Sequence, residues 1–348
     1  MSKKKDYIFS YKKSGVDVEL GNKLIKKIKP IVSKTNSKNV IGGIGGFGAV
    51  FEPNLKKYKK PLLVSATDGV GTKILIAKEM NNYSSIGIDL VAMSVNDIVV
   101  QGAKPLFFLD YIAVEKIKEK SIIDIVKSIA KGCLEAQCSL VGGETAELPG
   151  LYSNNNFDLA GFCLGIVEKK RLLPKKNIAP NDIILGLPSN GLHSNGFSLI
   201  RKIIKEKKVS YNMKLFESTL GKKLLKPTKI YVNSILKIYS AVDIKAAVHI
   251  TGGGIWDNLK RVLEKNQGAN IDVNNFSFDD QRSIYFWLNN ECRLSKSEML
   301  KTFNCGIGML IIVSPKNVDQ VINFSKTLKQ PIKKIGVINS NKSLRFTE

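Results

Sequence analysis

Histidine is nearly missing from this chain: His193 and His249 are the only two among 348 residues. A zinc centre built on several histidines is therefore excluded. The five cysteines, Cys133, Cys138, Cys163, Cys292 and Cys305, are odd in number and scattered, so they read as reduced thiols rather than a disulfide framework. Cys133 and Cys138 lack the second pair or nearby histidine that a metal site needs. Long apolar runs are missing too. The longest, such as IGMLIIV at 307–313, fall well short of the roughly 20 residues of a membrane helix. The opening MSKKKDYIFS is basic but has no continuous apolar core and no small-residue cleavage site, so no secretory signal is read there and a cytoplasmic location is expected.

Arginine is scarce as well, although the formal net charge is +24. A basic chain can bind nucleic acid through phosphates, which makes that the reading from a different class. The positive charge is almost all lysine and dispersed, with short clusters at Lys3 to Lys5, Lys56 to Lys60 and Lys205 to Lys208. No arginine-rich or aromatic-interleaved segment accompanies them, so no nucleic-acid partner is expected. With 43% hydrophobic residues the chain is globular, and 348 residues suit two domains.

What is present is organised around PLLVSATDGVGTK, Pro61 to Lys73. Leu62 to Ala66 is a short apolar, partly β-branched run that predicts a buried strand, and it delivers a carboxylate into a glycine-bearing tight turn. Gly69 and Gly71 allow positive φ and close ligand approach, Asp68 offers hard oxygens to Mg²⁺, and Thr72 and Lys73 offer donors to phosphate. An ordinary turn is the bland alternative. Upstream, Asp17 is placed to cap a helix over Leu20 to Ile31. The segment IGGIGGFGAVF, 41–51, follows, with Gly42, Gly43, Gly45, Gly46 and Gly48. It suits either a loop closing over phosphates or a tight hairpin.

Downstream, SIGIDLVAMSVNDIVVQG, 85–102, predicts an apolar helix with three polar interruptions. At 100° per residue, Asn96 falls about 20° from Asp89 and Asp97 about 80° away. Acidic groups on so apolar a helix need a partner, a hydrogen bond or a metal. Leu106 to Ala113 reads as a strand bearing Asp110, Ile122 to Glu135 as a helix, and Cys138 to Val141 as a strand opening into a turn, GGETAELPG. Glu144 in that turn mirrors Asp68, so carboxylates from separate strand ends suit Mg²⁺ and a polyphosphate. Phe157 to Val167 is one more strand. The charged, proline-bearing Glu168 to Asn181 is the linker, giving domains 1–168 and 169–348. In the second half, His193, Ser194, Asn195 and Gly196 precede a helix at Phe197, and His249 precedes the turn Thr251, Gly252, Gly253, Gly254. Each turn is either an anion site or a capped helix start.

Taken together, these segments closely resemble the phosphoribosylformylglycinamidine cyclo-ligase (aminoimidazole ribonucleotide synthetase) family. The resemblance rests on SYKKSGVD, GGIGGFGAVF, SATDGVGTK, GIDLVAMSVNDIVVQGAKPLFFLDYIA, GCLEAQCSLVGGETAELPGLY, FDLAGFCLGIVEK, GLHSNGFSL, KPTKIYV, HITGGGIWDNL and TFNCGIGM, in order from Ser10 to Gly308. Leu148, Lys229 and Asp257 stand where the family usually has Met, Arg and Glu. A lysine does not reproduce a bidentate guanidinium contact. Two relatives in the same ATP-using superfamily fit less well. A selenophosphate synthetase is expected to carry a reactive cysteine near its N-terminus, whereas the first here is Cys133; the hydrogenase-maturation relative ends in cysteine, and this chain ends Arg345-Phe346-Thr347-Glu348.

The resemblance implies an α+β protein of two domains, each a mixed or antiparallel sheet packed by helices, dimerising through the N-terminal sheets. It implies ATP-dependent cyclisation of formylglycinamidine ribonucleotide to 5-aminoimidazole ribonucleotide, with ADP and phosphate, in purine biosynthesis. The expected site is as follows. Asp68, Asp97 and Glu144 hold Mg²⁺, with Asp89 and Asp110 in support. Gly45, Gly46, Gly48, Gly69, Gly71, Thr72 and Lys73 cradle ATP. His193, Ser194, Asn195, Thr251, Gly252 and Gly253 face the substrate, and Asp68, His193 and Lys73 take part in catalysis.

Overall fold

The computed structural model describes residues 9–347, so the Lys3 to Lys5 cluster and nearly all of the opening basic segment lie outside the described residues. Two sheets divide the chain. The first has the order Pro61–Gly69, Phe157–Glu168, Lys104–Val114, Ser139–Glu147, with antiparallel neighbours except for the last pair, which is parallel. The second has six strands in the order Ala246–His249, Ile307–Val313, Ile183–Pro188, Lys333–Asn339, Gly268–Asp272, Leu344–Thr347, antiparallel except for the last pair. This mixed α+β architecture is the one expected.

Alternation writes the first sheet. Along Pro61–Gly69, Leu62, Val64, Ala66 and Asp68 point inward while Leu63, Ser65 and Thr67 are exposed, the period-two pattern of a half-covered strand. Helices Ile86–Val100 and Glu119–Ala136 cover its inner face. They pass closely because glycine sits at both contacts: a Cβ on Gly87 would lie 2.4 Å from the Ile129 backbone nitrogen, and one on Gly132 would lie 2.9 Å from Val91 Cβ. Ile86–Val100 is buried almost all round and also touches the strand Ala246–His249 of the second sheet. It is the beam that joins the halves.

Two expectations change here. Ser139–Glu147 runs on as strand through the glycines, so Glu144 stands within a strand rather than in a turn. Pairing with Lys104–Val114 supplies the hydrogen bonds that the glycines alone would not predict. The glycine segment 42–49 closes a hairpin between the two-residue strands Val40–Ile41 and Val50–Phe51.

Candidate active site

Asp68 arrives at the cleft between the halves on the strand Pro61–Gly69, and Asp97 on the helix Ile86–Val100. The Asp68 Oδ1 accepts the Gly69 N–H at 2.7 Å. Burial pushes the Asp68 carboxyl above its ordinary range and the Asp97 charge adds to this, against the Gly69 N–H and His249, which pull it down. Asp97 Oδ1 lies 2.9 Å from His249 Nδ1, and 45% of the Asp97 side chain is exposed. The helical spacing explains the division of labour. Asp89 and Asn96 share the buried face, while Asp97 turns to a cavity of about 170 Å³ lined also by Gln101, Thr251, Asn258 and Arg261.

The Thr251–Gly254 turn is held from below by Asn258, whose amide donates to the carbonyls of Thr251 at 3.3 Å, Gly252 at 3.1 Å and Gly254 at 2.7 Å. Gly253 and Gly254 have φ of +87° and +60°, a region costly for any side chain with a Cβ. Asn195 meets this turn: a Cβ on Gly252 would lie 3.6 Å from Asn195 Oδ1. The structure thus brings Asn195 against the turn of Thr251, Gly252 and Gly253.

Lys73 is a correction. Its side chain has zero exposure, and its ammonium sits 2.9 Å from Asp89 Oδ2 while donating to the His193 carbonyl at 2.9 Å and the Lys226 carbonyl at 2.8 Å. All its donors are engaged by protein, so it does not reach a phosphate in this arrangement; burial pulls its pKa down against the opposing pull of Asp89. Asp89 likewise is no metal support. Its Oδ1 accepts the Thr228 N–H and hydroxyl, both at 2.7 Å, and the Ser194 hydroxyl at 3.0 Å. Ser194 is therefore committed to this network rather than to a ligand. His193 is 1% exposed, with Nε2 accepting the N–H groups of Asn190 and Lys229 and with Nδ1 buried without a partner. Burial, then His249, Lys73 and Lys229, hold its pKa well below the ordinary value, so the imidazole is neutral. Its expected contact with substrate is replaced by a contact with the domain core.

Among the turn residues, Gly71 takes positive φ at +71°. Gly69 ends the strand instead, where a Cβ would lie 3.0 Å from the Leu159 carbonyl. Thr72 Oγ1 lies 3.1 Å from Ser198 Oγ at the exposed rim.

Gly45, Gly46 and Gly48 line a larger cavity of about 510 Å³ together with Asp110, Gly142 and Glu144. Ile25, Ile28 and Val32 form its apolar back wall. Burial, reinforced by the Glu144 charge, raises the Asp110 carboxyl to about 7, although its own backbone N–H opposes the shift. Of the two readings of the glycine segment, the hairpin is the one seen, and it walls this cavity.

The three expected metal ligands do not gather. Register aligns Asp68 with Gly161, Gly161 with Asp110, and Asp110 with Gly143 across the sheet. Glu144 thus sits about 14 Å from Asp68 along the sheet, three strand spacings away. Oxygens sharing one Mg²⁺ must each lie about 2.1 Å from it. Among the described residues no group of three or more His, Cys, Asp or Glu is placed to hold a metal. The structure offers two acidic pairs instead, Asp68 with Asp97 and Asp110 with Glu144. Sequence reasoning gave no role to His249, Asn258 or Arg261. The run TGGGIWDN signals Asn258 by its reach back over one helical turn, whereas nothing local signals Arg261.

The model of the AIR synthase related protein N-terminal domain matches residues 49–167, and that of the C-terminal domain matches residues 179–347. The chain belongs to the AIR synthase related family. Within it, the phosphoribosylformylglycinamidine cyclo-ligase of Chromobacterium violaceum is 46% identical over 330 residues, covering 94% of each chain. That of Syntrophus aciditrophicus is 46% identical, covering 94% of this chain and 95% of its own. In fold, the chain is similar to thiamine-monophosphate kinase from Stenotrophomonas maltophilia, with a TM-score of 0.67, 17% identity and coverage of 93% and 95%. It is also similar to the hydrogenase maturation protein HypE in complex with ATP, with a TM-score of 0.61, 15% identity and coverage of 94% and 89%.

Proposed function

We propose that this chain cyclises formylglycinamidine ribonucleotide to 5-aminoimidazole ribonucleotide at the expense of ATP. It is an ATP-dependent ligase of purine biosynthesis. The observation that carries this reading is the match to named cyclo-ligases along 94% of the chain. The chemistry agrees with what the cleft holds. An amide oxygen leaves poorly until it is phosphorylated, and closing the ring is then intramolecular, which removes much of the entropic barrier. Such a reaction asks the protein for charge stabilisation and positioning rather than for a nucleophile.

Mg²⁺ binds through one or two carboxylates plus substrate phosphates. The Asp68–Asp97 pair fits that donor set: burial first and the Asp97 charge after it raise the Asp68 pKa, and a cation relieves the repulsion between them. Bound there, the ion would screen the phosphate oxygens. Asp68 and Asp97 orient the phosphoryl end, and the backbone N–H groups of the Thr251–Gly254 turn, with Asn195, face the ribonucleotide. The Gly42–Gly48 loop covers the triphosphate from the other cavity, with Glu144 and Asp110 beneath it. Two copies pair through the open face of the first sheet, where Leu63 is 65% and Tyr111 41% exposed. We place the domain boundary at Glu168–Lys169. Five free thiols suit the cytoplasm.

The test supplies formylglycinamidine ribonucleotide with Mg-ATP, and aminoimidazole ribonucleotide is expected to form one-for-one with ADP. Asp68→Asn is expected to lower turnover by orders of magnitude with an unchanged circular-dichroism spectrum. Near-normal turnover removes Asp68 from the site.

A further inference from the structure

The second half of the molecule carries an aromatic slot that the cyclisation does not use. Trp256, on the helix Gly254–Lys260, faces Phe346 with ring centres 5.8 Å apart. Phe278, 2% exposed, lines the same cavity of about 300 Å³ with Val273 and Leu300. That volume is at the small end of ligand pockets, about 300–1,000 Å³. Phe346 belongs to the strand Leu344–Thr347, at the edge of the six-stranded sheet opposite Ala246–His249. Trp256 shares the helix Gly254–Lys260 with Asn258, and Leu300 packs against Gly254; at 100° per residue Trp256 lies about 160° round that helix from Asn258, so the slot backs onto the cleft turn from the other face of the helix.

Its rim is cationic. Lys296 and Lys301 line the cavity, the Lys296 ammonium lying 5.6 Å from the Phe278 ring centre. The Lys260 ammonium stacks 4.7 Å over Trp256. Lys296 pairs with Asp279 at 3.8 Å, a carboxylate whose side chain is 83% exposed; an exposed pair of this kind binds weakly. Among the described residues no acidic side chain lines the cavity. Aromatic walls select a flat ring, and ammonium groups at one end select an anion attached to it.

We propose that this slot is a second ligand site, which takes a heteroaromatic ring carrying a phosphate, a nucleoside monophosphate. The ring lies between Trp256 and Phe278, and the phosphate meets Lys296 and Lys301.

The test is calorimetric titration of adenosine 5′-monophosphate into full-length protein whose cleft is saturated with a non-hydrolysable ATP analogue and Mg²⁺. One further site per chain is expected. Lys301→Glu is expected to weaken it at least tenfold and Phe278→Leu to do the same, with Lys301→Glu leaving cyclisation turnover unchanged. Adenosine and ribose 5-phosphate should each bind at least tenfold more weakly than the nucleotide. Absence of the extra site, or indifference to both substitutions, overturns the proposal. So does adenosine binding as tightly as its phosphate, and so does a single-stranded oligonucleotide displacing the monophosphate at lower concentration. The titration does not depend on turnover, so its failure and failure of the cyclisation assay are separate results.

Discussion

Lys73 and Asp89 meet where neither side chain touches solvent. Removing one partner of a buried ion pair strands the other charge, at a cost of about 3–5 kcal/mol. Lys73→Met and Asp89→Asn are each expected to lose about that much in urea unfolding, while Lys73→Met with Asp89→Leu loses less than the sum of the two. Asp110 gives a pH signature. Its carboxyl titrates near 7 in the folded protein, raised by burial first and then by Glu144, against an ordinary value near 4 in the unfolded chain. Between about pH 4 and 7 the native state therefore holds the extra proton, and stability falls as pH rises through that window. Asp110→Asn is expected to flatten the slope of unfolding free energy against pH there. At this scale the sequence was informative only where chemistry was local. Asp68 precedes Gly69 at a strand end, which announces a carboxylate delivered to a turn; Lys73 is five residues on, and nothing nearby reveals that residues 193 and 226 will enclose it.

The helix Ile86–Val100 and its neighbour Glu119–Ala136 turn on two glycines. Alanine ordinarily favours a helix over glycine by about 1 kcal/mol. At Gly87, however, the added methyl would strike the Ile129 backbone and Ser128 Oγ, both at 2.4 Å, and overpacking of this kind costs about 1–3 kcal/mol. Gly87→Ala is thus expected to lower the thermal midpoint. For the 42–49 hairpin, Phe47 stands fully exposed, and Mg-ATP is expected to slow amide exchange across the loop. Unchanged exchange would separate it from the nucleotide. The helices were legible because apolar spacing such as Leu24, Ile28 and Val32 fixes one buried face. Ser139–Glu147 was not, since glycine content argues for a turn and only the cross-strand partner makes it a strand.

Across the whole molecule, the motif order sufficed to read the two α+β units, because each motif ends a strand or starts a helix. What stayed hidden was which motifs share a cavity. That depends on register: Asp68 and Glu144 look alike in sequence yet lie on opposite edges of one sheet. The open sheet face also carries Phe162, 36% exposed, on the strand next to that of Leu63 and opposite Thr67. Leu63→Lys with Phe162→Glu is expected to convert a dimer to monomers in analytical ultracentrifugation, and an unaltered sedimentation coefficient would reject that face. The Lys73 ammonium reaches from the first half of the chain to carbonyls of the second. Swinging the halves apart would leave that cation bare, so the cleft keeps a constant width.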